Sequence, residues 1–322
     1  MICKMRSMAL ALTCVLGIAA PAQAEDLVVT QFGIVLSGAP YAIAIEKGYF
    51  KEAGVDITGI VSGSGGGTTA RNVMASDLGF GEVVLSAAIA GALENQDIKI
   101  VNVGSRTIDD LVLLVKQDSD IRSVSQLAGK KIGISNPKSL SEVIAVLAVE
   151  KGGVPIDQVQ RVALGSLGGT LTALESGAID VASTLLIGMG ARSKKHRVLL
   201  TGATDLPPMA QSVGVATGDL IRKDPKKLRA ILEARAKGVD FIYANPKEAI
   251  ELLRKYFDGL KPEIFEQSMQ SLVKERHWSR GDFEMDRLNA AAHGLKLIGA
   301  LQNDVPWDKV LDKSFLPTDA KN

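Results

Sequence analysis

The chain is poor in cysteine, histidine and aromatic rings. Its 322 residues hold two cysteines, Cys3 and Cys14, and three histidines, His196, His277 and His293. Neither set has the spacing of a metal site. Aromatic residues make up 4% of the chain, too few to stack bases along a groove or to cover the faces of a sugar. An excess of one charge is also missing. Lys and Arg number 37 against 36 Asp and Glu, so no overall field draws in nucleic acid or an anionic membrane. There is no Gly-x-Ser-x-Gly elbow and no Walker loop. What is present is a 46% hydrophobic, 23% charged composition, which favours packed cores over disorder. At roughly 100–200 residues per domain, the length suggests two or three domains.

Residues 1–24 have the layout of a secretory signal peptide. Lys4 and Arg6 give a positive start, and Met8 to Ala20 is an uncharged apolar run. Ala22-Gln23-Ala24 is a small-x-small cleavage site before acidic Glu25-Asp26. The apolar run is shorter than the ~20 residues a membrane span needs. Both cysteines fall inside this segment, so the expected mature chain has no thiol, which suits an oxidising compartment. Cys14 as a lipid-attachment site would want a small residue before it, and Thr13 fits poorly. The expectation is export to the periplasm with cleavage after Ala24. Losing Lys4 and Arg6 leaves 35 basic against 36 acidic residues.

The remainder alternates short β-branched runs with helical periodicity, which predicts an α/β fold with a largely parallel sheet. Strands are expected at 27–30, 56–61, 78–80 and 98–103, with helices at 40–53, 68–76 and 83–94 between them. The pattern then restarts, with strands at 131–135, 160–164 and 179–184. Ser139-Leu140-Ser141-Glu142 is a capping box that opens a helix, and a second helix is expected at 169–176. From Asp224 onward the chain reads as helices at 225–243, 246–257, 262–276 and 284–301. Two segments repeat one order of features. Lys47-Gly48, Gly54-Val55 and the loop at Ser62 correspond to Lys151-Gly152, Gly153-Val154 and the loop at Gly165. This suggests two lobes built on one plan.

The chemistry is concentrated where strands end and helices begin. Ser37-Gly38-Ala39-Pro40, Ser62 to Thr68, Asn136-Pro137-Lys138-Ser139 and Gly165 to Thr170 are all small and polar. In open α/β sheets, ligands bind outside the strand C-termini. Helix N-termini offer unpaired N–H groups and about half a positive charge, and glycine lets a ligand approach the backbone. Arg71, Arg106 and Lys138 are fixed charges near these loops. Glu82, after Gly81 at a helix start, would favour a ligand with a donor or cation if it faces the same gap. Gly65-x-Gly67-x-x-Ala70 matches a dinucleotide fingerprint, but the next acidic residue, Glu82, comes too soon and after too short a helix.

With these residues in place, the chain resembles the periplasmic substrate-binding proteins of ABC transporters, of the nitrate/sulfonate/taurine kind. The resemblance is carried by Ala44 to Asp56, Ser62–Gly67, Leu127 to Ile134, Ala173 to Asp180 and Asp312 to Pro317, and it runs through nearly all of 26–317. It implies a two-lobed α/β fold hinged by two crossing segments, near Asp109–Leu113 and Gln211–Val215. Lobe 1 would be 26–109 with 214–317, lobe 2 would be 110–213, and 318–322 a tail. A solute would bind between the lobes, and the closed form would dock on a membrane permease driven by an ATPase. No cofactor, metal, nucleic acid or catalysis is implied, and the expected state is a monomer. Carried over residue by residue, the ligand loops fall on Ser37, Ser62, Gly63, Ser64, Gly65 and Glu82, and Tyr41 is a further candidate beside them. In the second half they fall on Lys138, Ser139, Ser141, Gly165, Ser166, Ser183 and Thr184, with Arg106 added from the charge pattern. The expected solute is a small organic anion, a sulfonate or carboxylate. The alternatives are an exported enzyme on this fold, or a binder of an amine like the thiamine pyrimidine. A related group makes that pyrimidine with a cysteine cluster and a histidine, an equipment the mature chain lacks.

Overall fold

The computed structural model describes residues 25–94, 96–186 and 194–317; the expected signal peptide, with Cys3 and Cys14, and the tail 318–322 lie outside them. The first stretch forms β1 (Glu25–Thr30), α1 (Ala39–Glu46), α2 (Tyr49–Glu52), β2 (Ile57–Gly63), α3 (Gly66–Ala75), β3 (Phe80–Val84), α4 (Leu85–Leu93) and β4 (Ile98–Ser105). Next come β5 (Leu111–Lys116), β6 (Lys131–Ile134), α5 (Leu140–Lys151), β7 (Gln160–Ala163), α6 (Leu167–Ser176), β8 (Val181–Leu185), β9 (His196–Thr201) and α7 (Gly202–Asp205). The chain returns through β10 (Ser212–Thr217) and ends in α8 (Gly218–Lys223), α9 (Pro225–Ala244), α10 (Pro246–Leu253), α11 (Pro262–Lys274), α12 (Met285–Leu297) and α13 (Trp307–Val310).

The strands make two five-stranded sheets with one topology. Their orders are β2-β1-β3-β10-β4 and β7-β6-β8-β5-β9. In each, the first three strands are parallel and the fourth is antiparallel to both neighbours. That fourth strand is the one entered directly after a crossing between the sheets, β5 on the way out and β10 on the way back. The sheets are thus two lobes on one plan, joined by residues 106–110 and 206–211. β10 begins at Ser212, two residues before the return to lobe 1 expected from the sequence.

Local chemistry explains most element ends. Asp224 caps α9 by accepting the Lys227 N–H at 3.0 Å, with Pro225 in the first turn, where its missing N–H costs nothing. The expected helix over 40–53 breaks into α1 and α2 at Gly48, whose φ of 72° is a left-handed conformation open to glycine. Three strands were not expected, β5, β9 and β10. β5 reads Leu-Val-Leu-Leu-Val-Lys and is buried on both faces, so it lacks the alternation that marks a half-buried strand.

The C-terminal helices brace both lobes. α9 packs along α1, whereas α12 packs against α4 of the first lobe and α5 of the second. Residues 277–281 add a further edge to β4. The Arg106 N–H donates to the His277 carbonyl at 2.8 Å and the Ser279 N–H to the Gly104 carbonyl at 3.0 Å. Among the described residues, no helix is long and apolar enough to cross a membrane.

Candidate functional site

The C-terminal ends of both sets of parallel strands open on one cleft of about 420 Å³. Lobe 1 contributes Thr30 and Gln31 after β1, the Ser64–Thr68 turn after β2, and Val84 and Ser86 after β3. Lobe 2 contributes Ser135 to Ser141 after β6, Gly165 and Leu167 after β7, and Leu185 at the end of β8. Leu111, Gln211 and Ser212 close the floor beside the crossings.

Four helices start at this cleft. α3 and α4 have no side-chain cap; their N-cap residues are Gly65 and Val84. One N–H of α4, that of Leu85, is taken by the Gln211 carbonyl at 3.0 Å. α5 and α6 are capped by serines, with Ser166 accepting the Gly169 N–H at 3.0 Å. At the start of α5, three hydroxyls form a cluster. Ser135 and Ser141 lie 2.9 Å apart, Ser139 and Ser141 2.7 Å apart, and the Ser135 N–H donates to Ser141 Oγ at 2.9 Å. Uncapped helix starts and hydroxyls aimed at one space favour a negative ligand group.

Side-chain charge points the same way. Arg71 and Lys138 line the cleft from opposite lobes, and no Asp or Glu is among its described lining residues. Arg71 Nη2 donates to Thr68 Oγ1 at 3.2 Å, which holds it along the first turn of α3. A shallow groove of about 470 Å³ at the far end of the first sheet is of mixed charge, with Asp77, Asp97, Asp219 and Asp224 beside Lys223 and Lys227 on its walls.

Of the residues expected from the sequence, Ser37, Ser64, Gly65, Lys138, Ser139, Ser141 and Gly165 line the cleft. Ser62, Gly63 and Ser166 flank it without lining it. Ser183 and Thr184 are 0% and 1% exposed within β8, and Thr184 Oγ1 donates to the Leu167 carbonyl at 3.3 Å. Arg106 turns away to Glu284, 2.7 Å distant.

Glu82 and Tyr41 require correction. Glu82 is 1% exposed and sits beneath the floor. Its Oε1 accepts the Ser212 hydroxyl at 2.6 Å, and its Oε2 lies 3.4 Å from Nε of Arg235, which is itself fully buried. Arg235 also donates to the carbonyls of Ser279 and Gly104, at 2.7 and 2.8 Å. Tyr41 is fully buried against this pair, and burial, then the Glu82 charge, raises its pKa well above the ordinary phenol value. The carboxylate is buried against Ser212 and Arg235 and is not among the residues that line the cleft.

The sequence reading missed Thr30, Gln31, Ser86, Gln211 and Ser212. The rule used for the other loops, strand C-terminus before helix N-terminus, finds the first three when applied to β1 and β3. Gln211 and Ser212 carry no such signal, because the strand they begin was not legible.

A family model described as NMT1/THI5 like matches residues 37–249. The chain belongs to this family. A curated relative, "Putative aliphatic sulfonates-binding protein" of Bacillus subtilis (strain 168), is 32% identical over 113 residues, 34% of this chain. The matched part spans 34% of that relative's length. Among solved structures, the periplasmic aliphatic sulphonate binding protein SsuA of Escherichia coli superposes with a TM-score of 0.72 at 17% identity, covering 91% of this chain and 93% of that one. The desulfurization enzyme DSZB does so with a TM-score of 0.66 at 16% identity, covering 91% and 97%. The fold is therefore that of the periplasmic binding proteins, and the resemblance to the nitrate/sulfonate/taurine kind holds.

Proposed function

We propose that this NMT1/THI5-like protein is a solute receptor that captures a small organic anion between its lobes and hands it to an ABC importer. The carrying observation is the charge of the cleft, with Arg71 and Lys138 on facing walls and no carboxylate among the described lining residues. Helix starts and serine hydroxyls supply the hydrogen bonds that fix a sulfonate or carboxylate head. A ligand that fills such a site buries most of its surface, and charge-assisted bonds in a desolvated cleft are strong. The sulfonate-binding name of the curated relative supports the same chemistry. Rotation of the lobes about residues 106–110 and 206–211 would enclose the ligand, and the closed form would present a surface for a permease and its ATPase. The periplasm is the compartment where such a receptor works, as a monomer.

An amine ligand is disfavoured, because its recognition needs a carboxylate and Glu82 is engaged with Arg235 and Ser212. An enzymatic role on this fold is disfavoured because the described lining has no His, Cys, Asp or Glu, and its lysine, Lys138, is taken up as the partner of the anion. A thermal-shift panel of alkanesulfonates, carboxylates, amines and sugars tests the reading. At 100 times Kd, a true ligand adds about 2.7 kcal/mol of stability. Stabilisation by sulfonates or carboxylates is expected; stabilisation only by amines or neutral sugars overturns it. Mass spectrometry of the stabilising compound after incubation should return it unchanged.

A further inference from the structure

Lys138 reaches the cleft from an unusual backbone position. Residues 136–139 form a turn closed by the Ser139 N–H donating to the Asn136 carbonyl at 3.3 Å. Pro137 and Lys138 are its central residues, and Lys138 has a φ of 61°. At the third place of a turn, a positive φ is the province of glycine or asparagine, because a longer side chain is strained there. Three described non-glycine residues have a positive φ, Gln31, Lys138 and Arg276; Gln31 and Lys138 line the cleft from opposite lobes, and of these two Lys138 carries the charge. Such strain persists where the surroundings over-determine it.

The surroundings here centre on Glu142. In an ordinary capping box, the carboxylate at the third helical position accepts the N–H of the N-cap residue. The sequence predicts that pairing with Ser139. Instead, Glu142 Oε2 reaches one residue further back and accepts the Lys138 N–H at 2.6 Å. The other half of the box is present, since Ser139 Oγ accepts the Glu142 N–H at 3.4 Å. Glu142 is 7% exposed and does not line the cleft. Its Oε1 is held at 3.0 Å by Arg161 of β7, the neighbouring strand to β6.

We infer that Glu142, anchored by Arg161, is a positioning residue that locks the 136–139 turn in the left-handed form and so presents the Lys138 ammonium to the bound anion. A lysine where glycine fits better, with a buried carboxylate committed to its N–H, is an arrangement that serves the ammonium and not the turn. The inference rests on the proposed reading of the cleft as an anion site. Glu142 itself touches no ligand; it acts through Lys138.

The test is a double-mutant cycle read by isothermal titration calorimetry against ethanesulfonate, propionate and inorganic phosphate, using the tightest binder. Lys138→Gly removes the ammonium while glycine accepts the turn without strain. Glu142→Ala releases the turn. Each single substitution is expected to weaken binding roughly tenfold, the loss of one charge-assisted contact, and the double variant no further than that. Glu142→Gln, whose amide oxygen still accepts the Lys138 N–H, should recover most of the affinity, and Arg161→Ala should lose part of it. Thermal melts guard against simple unfolding. Full additivity of the two losses, or unchanged affinity in Glu142→Ala, overturns the role of Glu142 while leaving the anion site standing. Unchanged affinity in Lys138→Gly, or no binding of any of the three anions by the parent chain, overturns the reading of the site and the inference with it.

Discussion

A methyl group on Gly294 of α12 would overlap Cγ1 of Val143 on α5, with Leu147 Cδ1 3.4 Å away. Glycine at this point lets α12, a C-terminal helix, lie flat against a helix of the second lobe. Val143 is 1% exposed and has no room to yield. At the preceding residue, His293 Nε2 lies 3.1 Å from both carboxylate oxygens of Glu150. α12 therefore bridges α4 and α5, whose N-terminal ends line the cleft from the two lobes.

Gly294→Ala is expected to lower stability by about 1–3 kcal/mol, the usual cost of overpacking a filled contact. Val143→Ala in the same chain removes the methyl that is overlapped, so the pair should be more stable than Gly294→Ala alone. Calorimetric unfolding of the parent and the two variants measures this. A Gly294→Ala protein as stable as its parent means that α12 does not seat on α5 this closely.

His277 is buried between the first crossing and α9. Its Nδ1 lies 2.9 Å from Thr107 Oγ1, and its ring meets Trp278 edge-on. Burial, then the nearby Arg235 charge, pushes its pKa down from 6.5 to about 3. Between those values the unfolded chain binds a proton that the folded chain refuses. Stability is therefore full above pH 6.5 and falls as the pH drops through this window, by up to about 1.4 kcal/mol per pH unit from this one group. His277→Gln should remove that part of the acid sensitivity. Urea midpoints from pH 4 to 7 test it, and parallel curves for parent and variant would show that His277 is free to protonate in place.

Much of this architecture could be read from residue order. The β1–β3 and β6–β8 units are marked by β-branched runs broken by Gly and Ser, and the Asp224-Pro225 start of α9 is a direct cap signal. What could not be read has physical causes. β5 and β10 are covered on both faces and show no alternation, and they pair with strands far away in sequence. The role of Glu82 was equally hidden. Its partners Ser212 and Arg235 come from distant segments, and nothing local to Gly81-Glu82 distinguishes a ligand contact from a buried ion pair. Lys138 and the Ser139–Ser141 pair were legible because turn, cap and charge lie within a few residues of one another.

Asp110 gives the last prediction, at the place where the two crossings touch. Its Oδ1 accepts the Gln211 amide at 2.8 Å, and Gln211 lines the cleft. Burial raises the Asp110 pKa from 3.8 to about 7, although the Gln211 hydrogen bond pulls it down. Between pH 3.8 and about 7 the folded chain holds a proton that the unfolded chain has lost, so stability from this group falls as the pH rises through that window and is flat above it. The sign is opposite to that of His277, and the two effects partly cancel in the parent chain over their shared range. Asp110→Asn keeps an oxygen for Gln211 and removes the titration. Its stability should match the parent near pH 4, exceed it at pH 8, and rise with pH between 4 and 6.5 as the His277 effect is exposed. The His277→Gln chain should show the reverse slope. Denaturant midpoints of both variants against pH separate the two groups, and equal slopes in the two chains would mean that neither titrates as its burial dictates.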